Sequence, residues 1–532
     1  MSTNSSTLTA EPHANAAESS GTSPTREQAL SKATAWLRSD AFEPATVTTK
    51  ITDYLQDDDR DQAAEIVAEA VRIVEGGNDA RRPHLTDNGN ATRLVNHFGD
   101  RLRYVGEDKQ WLAWDGQRWA ADTDAESERL AKETAKRLHR EALDISDDDG
   151  RQKVSKWAMA SEAAARLDSM LKLARSDKRV RIRLEDLDSN PWTLNVANGT
   201  LDLRTGELRP HDPGAMHSKI TAAPYDGQAS SNRWDAFLAE VLPDVAVREY
   251  VQKLAGYSLT GEIGENVLPF AYGPGANGKS VFLGVLGDVL GDYASEAPPD
   301  LLAHRRERGI PADVANLRGF RFVTTTEVED GRRMASDLMK RITGERRLKA
   351  RRLYQDFEGF ENVTKLWMAG NDRPQVDGLD EAVWRRIRLI PFEVVIPAAR
   401  RNPNLHGDLL AERDGLLRWM VDGLMAYHRD GLTPPAAVQV ATDGYRADSN
   451  PLLEWADSEC ELDSSAWTST ADLRESYERH CRGRVRPIPA RSRKWAEGLR
   501  SLGCSDERAS DRGQARGWAG IKLCKRPDGI AF

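Results

Sequence analysis

Apolar residues change their spacing several times along the chain, and each change marks a predicted element. Over residues 25–75 they recur at helical spacing, as in Ala63, Ile66, Val67, Ala70, Val71 and Val74, and the run stops at Gly76-Gly77-Asn78-Asp79. This pattern predicts a small helical region. Over residues 103–119 short apolar alternations are broken by Gly106-Glu107-Asp108-Lys109 and Asp115-Gly116-Gln117, which predicts paired strands. The tryptophans there, Trp111, Trp114 and Trp119, suit the filling of a small β-core better than a base-stacking platform. Helical spacing resumes over 126–176 with an acidic break at 146–150, and residues 195–208 carry strand-like runs with Asn-Gly and Thr-Gly turn signals, a predicted hairpin. From near Trp234 to about Gly431, β-like runs alternate with helical segments, the pattern of an α/β domain with a central sheet. Further helices are expected after Pro434-Pro435.

With 532 residues the chain exceeds what one hydrophobic core organises, so it is read as multidomain. Residues 1–24 are small, polar and Pro-containing; they cannot bury enough apolar surface to order a backbone and predict a disordered tail. A formal charge of −9 excludes a small basic nucleic-acid binder and leaves any DNA contact to local patches. One such patch is residues 482–526, with 13 Lys/Arg against 4 Asp/Glu. Cys460, Cys481, Cys504 and Cys524 form no CxxC pair, which favours reduced thiols over a zinc site or a disulfide framework. The N-terminus lacks an apolar core of the signal-peptide kind and no long apolar run follows, so no membrane span and a cytoplasmic location are expected.

The strongest chemical signal is Gly273-Pro274-Gly275-Ala276-Asn277-Gly278-Lys279-Ser280, between an apolar strand-like run and a helical pattern. Small residues let backbone N–H groups curl round phosphate oxygens, and the following helix N-terminus adds a favourable dipole. Lys279 is positioned for the β- and γ-phosphates of ATP and Ser280 for Mg²⁺. A motor of this kind also needs a carboxylate at the end of a neighbouring strand. Glu327, the first acid after the β-branched run 320–326, is the candidate metal-shell and water-polarising residue. After the run 363–369, Asn371 is a neutral amide able to hold the lytic water or touch the γ-phosphate. Arg385 and Arg386 precede another apolar run, where a neighbouring subunit in a ring delivers an arginine to the transferring phosphoryl group. Taken singly, an acid after a strand is a solvated turn and an arginine pair a surface feature; it is their order that carries the reading.

In that order these elements resemble the helicase domain of the phage and plasmid primase-helicases, a group that includes the poxvirus primase-helicase. The resemblance covers about residues 86–525 and extends to the Trp111/Trp114/Trp119 segment, residues 195–208, 254–261, 340–344, 370–374 and 384–392. It implies a superfamily 3 motor of the AAA+ type, usually hexameric, that translocates on DNA during replication. By the same resemblance the basic run 346–352, with Lys349, Arg351 and Arg352, occupies the place of the hairpin that projects into the ring channel and grips phosphates. Two departures stand out. Glu345-Arg346 follow Thr343-Gly344 where the family usually continues with a second glycine and an aspartate, and the residues before 86 show no strand-rich block carrying a closely spaced catalytic Asp pair with a downstream His, so priming is not expected.

The expected fold is therefore α/β: a P-loop AAA+-type (superfamily 3 helicase) core, an N-terminal mixed α/β region and a C-terminal winged-helix-like basic domain. The expected boundaries are a tail over 1–24, a helical region of unassigned role over 25–85, a family-specific region over 86–230, the ATPase domain over 231–432 and the basic domain over 433–532. The expected activity is ATP-dependent DNA unwinding in phage, prophage or plasmid replication, with ATP and Mg²⁺ as cofactors. Single-stranded and forked DNA, copies of the chain in a homo-hexamer and host or phage replication proteins are the expected partners, with no membrane. The rival expectation is an ATPase that binds DNA and loads or remodels replication partners without unwinding.

Overall fold

A computed structural model of the chain describes residues 26–38, 44–55, 60–77, 83–299, 301–304, 312–326, 333–351, 357–374, 376, 380–449, 451–482, 492–509 and 515–524. The predicted tail, Glu327 and Arg352 lie outside these residues. The fold is mixed α/β and divides into two units, residues 1–97 with 128–174, and residues 98–127 with 175–532.

The first unit is helical. The spacing seen over residues 63–74 falls in helix Arg60–Gly77, which closes a small core with Arg26–Arg38 and Pro44–Leu55 through Ala33, Ile51, Ile66 and Ala70. The acidic break in the later helical stretch is a helix start: the Asp147 carboxylate accepts from Gly150 N at 2.7 Å and caps Asp148–Ser161.

In the second unit the Trp-rich segment is an antiparallel meander of Leu102–Val105, Gln110–Trp114 and Trp119–Ala121. Trp119 is fully buried, its indole N–H donating to Pro213 O at 2.9 Å, so its faces are core. The expected hairpin is Thr193–Val196 paired with Gly199–Asp202.

The central sheet has five parallel strands in the order Ile387–Pro391, Leu268–Tyr272, Lys365–Gly370, Phe322–Thr326 and Ala294–Glu296. Parallel strands are buried on both faces, which is why Leu268–Tyr272 and Lys365–Gly370 read as continuous apolar runs without alternation. Alternate residues divide between two cores. Phe322, Trp367 and Ile390 face helices Asn232–Val241, Val245–Tyr257, Lys279–Leu290 and Arg413–Asp430, whereas Phe270, Val323, Leu366, Met368 and Leu389 face Ser336–Gly344 and Ala436–Asp448. On the first face Trp234 stacks on Phe282 with centroids 5.6 Å apart, and burying each such ring contributes roughly 1.5–3 kcal/mol. Because all five strands run one way, their carboxyl ends share one edge.

Between the third and fourth core strands in chain order, Arg347–Arg351 and Phe357–Glu361 form an antiparallel hairpin with Leu348 and Ala350 buried and Lys349 exposed. After Pro434-Pro435 the expected further helices are present, and strands that the apolar pattern did not mark accompany them. Helices Pro451–Glu459, Thr470–Arg482 and Ser492–Ser501 pack with a three-stranded sheet ordered Cys460–Ser469, Ala515–Leu523, Ser505–Ala509. The first of these strands hides in the sequence because its register shifts between Asp463 and Trp467 and most of its side chains are polar and not buried, leaving no two-residue apolar period to read. Trp455, Tyr477, Trp495, Trp518 and Ile521 fill this small core, together with buried Cys460, Cys481 and Cys504.

Candidate functional site

The glycine loop leaves the carboxyl end of Leu268–Tyr272 and runs into Lys279–Leu290. Gly273 has φ +151°, and a Cβ there would overlap the Phe392 carbonyl oxygen; Gly278 has φ +87°, and a Cβ there would meet Val241 Cγ1 at 2.7 Å. Both positions therefore require glycine. Three contacts fasten the loop: Gly273 N donates to Gly370 O at 3.3 Å, Ile396 N donates to Ala276 O at 2.9 Å, and Asn277 Nδ2 donates to Phe392 O at 2.5 Å. Pro274, Gly275 and Ala276 stay exposed, with Ala276 held at φ +61°. The helix opens on Gly278, which has no side chain to cap it, so its first turn faces the loop with a positive dipole end.

Inside this cradle Lys279 is only 5 % exposed. Its ammonium donates to Gly273 O at 2.6 Å, Pro274 O at 3.0 Å, Asn277 Oδ1 at 3.0 Å and Asn371 Oδ1 at 2.9 Å. These four acceptors are neutral oxygens, which orient the ammonium without adding negative charge. Ser280 is exposed beside it on the same helix start.

The register of the sheet explains why Asn371 is there. Gly370 pairs with Tyr272 and Ala369 with Thr326, so the ends of these three strands lie together at the carboxyl edge, where Gly273 and Asn371 follow two of them. Glu327 follows Thr326 directly in sequence but lies outside the described residues. The structure thus unites Gly273–Ser280, Lys279 and Asn371. Arg385 and Arg386 are not brought to them. They precede Ile387, which pairs with Leu268 at the amino edge, and a five-residue strand spans about 16 Å. Arg385 is exposed, and Arg386 donates to Ala382 O at 2.6 Å. Burial and then the charge of Arg385 hold the Arg386 guanidinium below its ordinary pKa.

Of the expected DNA contacts, Lys349 is exposed on the hairpin and Arg351 ends the same strand, while Arg352 lies outside the described residues. The sequence reading missed the clasp between Asn277 and Phe392, because residues 115 positions apart carry no shared signal. It also missed two buried cations at the amino edge, Arg321 and Lys365. A charged residue opening an apolar strand was the available clue.

Comparison with known proteins places these features. Residues 91–243 match the family described as D5 N terminal like, and residues 271–386 match a family of unknown function, DUF5906. A protein of Acanthamoeba polyphaga mimivirus named "Putative helicase L207/L206" is 29 % identical over 215 residues, 39 % of this chain and 22 % of that one. "Putative helicase 121R" of Invertebrate iridescent virus 3 is 28 % identical over 228 residues, 41 % of this chain and 24 % of its own. "Putative primase C962R" of African swine fever virus (isolate Warthog/Namibia/Wart80/1980) is 26 % identical over 222 residues, covering 40 % and 23 %. The aligned part of the chain thus spans about a quarter of the length of the curated relatives it matches. Among solved structures, the NrS-1 C-terminal region aligns with a TM-score of 0.35 at 11 % identity over 57 % of this chain and 78 % of that chain. Among the described residues, no helix is long and apolar enough to cross a membrane.

Proposed function

Because the chain belongs with the phage and viral primase-helicase-like proteins, we propose that it is an ATP-driven DNA motor of the superfamily 3 helicase type, acting in replication. The observation that carries this reading is the meeting of Lys279 with Asn371 at 2.9 Å, at the carboxyl edge of a parallel sheet and at the mouth of a glycine loop. A P-loop core of the AAA+ type is supported by the strand order, with the loop strand flanked by the Asn371 strand and the strand that follows Arg385 and Arg386. In this reading the loop N–H groups and Lys279 bind the β- and γ-phosphates, and Ser280 and Glu327 are the residues suited to hold Mg²⁺, which neutralises phosphate charge when bound. Glu327 also polarises the attacking water, and Asn371 orients it.

Arg385 and Arg386, on the far edge, cannot serve Lys279 of their own chain and act on the phosphates of a neighbouring copy in a ring, a homo-hexamer by family resemblance. The hairpin with Lys349 and Arg351, together with Arg352 next to it in sequence, grips the DNA strand. The C-terminal order of helix, strand, two helices and two strands supports a winged-helix domain that adds a second basic surface. Strand displacement on a forked duplex tests the proposal: the wild type separates the strands only with ATP and Mg²⁺, and Lys279→Ala does neither hydrolysis nor displacement. Hydrolysis stimulated by DNA without any displacement overturns the helicase reading in favour of a loader or remodelling ATPase.

A further inference from the structure

Asn277 lies within the glycine loop yet is 2 % exposed, and both ends of its amide are engaged. Its oxygen accepts from Lys279 Nζ at 3.0 Å, and its nitrogen donates to Phe392 O at 2.5 Å. An ammonium offers only donors and a carbonyl only accepts, so one orientation of the amide satisfies both and the opposite flip satisfies neither. Phe392 is itself fastened, its N–H donating to Tyr272 O at 2.7 Å, immediately before the loop begins. The clasp therefore joins the lysine to the segment beyond the edge strand, and Ile396 N, which donates to Ala276 O at 2.9 Å, closes it from the other side. Three other acceptors of Lys279 differ in kind. The carbonyls of Gly273 and Pro274 belong to the rim of the loop, and Asn371 is exposed on the turn after its strand.

We propose that Asn277 is the positioning residue for Lys279: it keeps the ammonium and the loop in the phosphate-receiving arrangement, while Asn371 and the rim carbonyls hold places that phosphate oxygens take over. This rests on the nucleotide-binding reading above. A neutral amide suits the task because it orients the ammonium without cancelling its charge, whereas a carboxylate would pair with Lys279, repel phosphate and face the Phe392 carbonyl with no proton to share. Nucleotide entry then exchanges oxygens around a lysine already in place, and Asn371 is the partner released.

The test uses the full chain with a fluorescent ATP analogue and Mg²⁺ for affinity, steady-state ATP hydrolysis for KM and kcat, and thermal melting for the fold. Asn277→Ala frees the loop, so Kd and KM rise about tenfold while kcat stays within about twofold. Asn277→Asp, equal in size, raises Kd about a hundredfold when affinity is read well below the variant's own melting temperature. Wild-type KM in Asn277→Ala, or a fall in kcat at unchanged KM, overturns the proposal. If Asn277→Ala does not fold, Asn277→Asp decides, and wild-type affinity in that variant overturns the proposal as well. Lys279→Ala separates the two layers: should it bind the analogue as tightly as the wild type, or should the wild type not bind, the nucleotide reading itself fails.

Discussion

Three cations are buried against the same parallel sheet, Lys279 at one edge and Arg321 and Lys365 at the other, with 5 %, 3 % and 4 % exposure. Each donates to neutral oxygens. At the amino edge Arg321 donates to Leu259 O at 2.6 Å and Thr193 O at 3.0 Å, and its guanidinium lies 4.9 Å from the centroid of Tyr293. Lys365 donates to Thr260 O, to Val363 O at 2.8 Å and to Glu262 O at 3.2 Å. These acceptors are main-chain carbonyls, those of Thr193, Leu259, Thr260 and Glu262 on segments that precede the glycine loop, so the two cations stitch that region to the sheet. Lys279 instead faces two side-chain amides and the carbonyls of a loop whose tip is exposed. Burial of a cation is thus no mark of a site by itself. What distinguishes the carboxyl edge, on the proposal above, is that its oxygens give way to those of phosphate.

The sharpest way to break the comparison is to ask whether the edges meet across subunits. Lys279→Ala and Arg385→Ala should each lower ATP turnover by about 10³-fold or more, and mixing the two should restore part of the wild-type rate, since some interfaces then join an intact loop to an intact arginine. No recovery in a mixture shown to co-assemble would rule out delivery by Arg385.

A second experiment asks whether the amino edge is only a fastening. Arg321→Ala leaves the Leu259 and Thr193 carbonyls without their donor and should lower unfolding free energy by about 2–4 kcal/mol in denaturant titrations. Nucleotide affinity, measured well below the melting temperature, should stay at the wild-type value; a matching loss of affinity would make the amino edge part of the site.

The smallest effect is one of slope. Burial, reinforced by the nearby Arg321 charge, holds the Lys365 ammonium well below its usual pKa. Between that depressed value and the ordinary lysine value near ~10.4, the unfolded chain binds the proton that the folded chain has lost, so this residue makes stability rise with pH. The rise is at most about 1.4 kcal/mol per pH unit. Lys365→Met removes that contribution, and equal stability slopes for wild type and variant above neutral pH would show that the three carbonyls keep Lys365 charged throughout.

Much of the molecule was legible beforehand because its signals are local. The helix over Arg60–Gly77, the Trp119 meander, the strand before the glycine loop and the hairpin at Thr193–Val196 each follow from a period or a turn signal within one element. The strand Cys460–Ser469 was not legible, since its bulge and polar surface erase the period on which such a reading depends.

What the sequence by itself determined is the chemistry available: a loop of small residues from Gly273 to Gly278, a lysine and a serine at its end, a neutral amide after one strand and arginines before another. Tertiary structure alone decided which of these meet. Parallel pairing of Leu268–Tyr272 with Lys365–Gly370 sets Asn371 against Lys279, and parallel pairing with Ile387–Pro391 sends Arg385 to the opposite edge. The physical reason is strand polarity together with register. A residue just after a parallel strand and one just before it lie a strand length apart, a distance the linear order of residues does not contain.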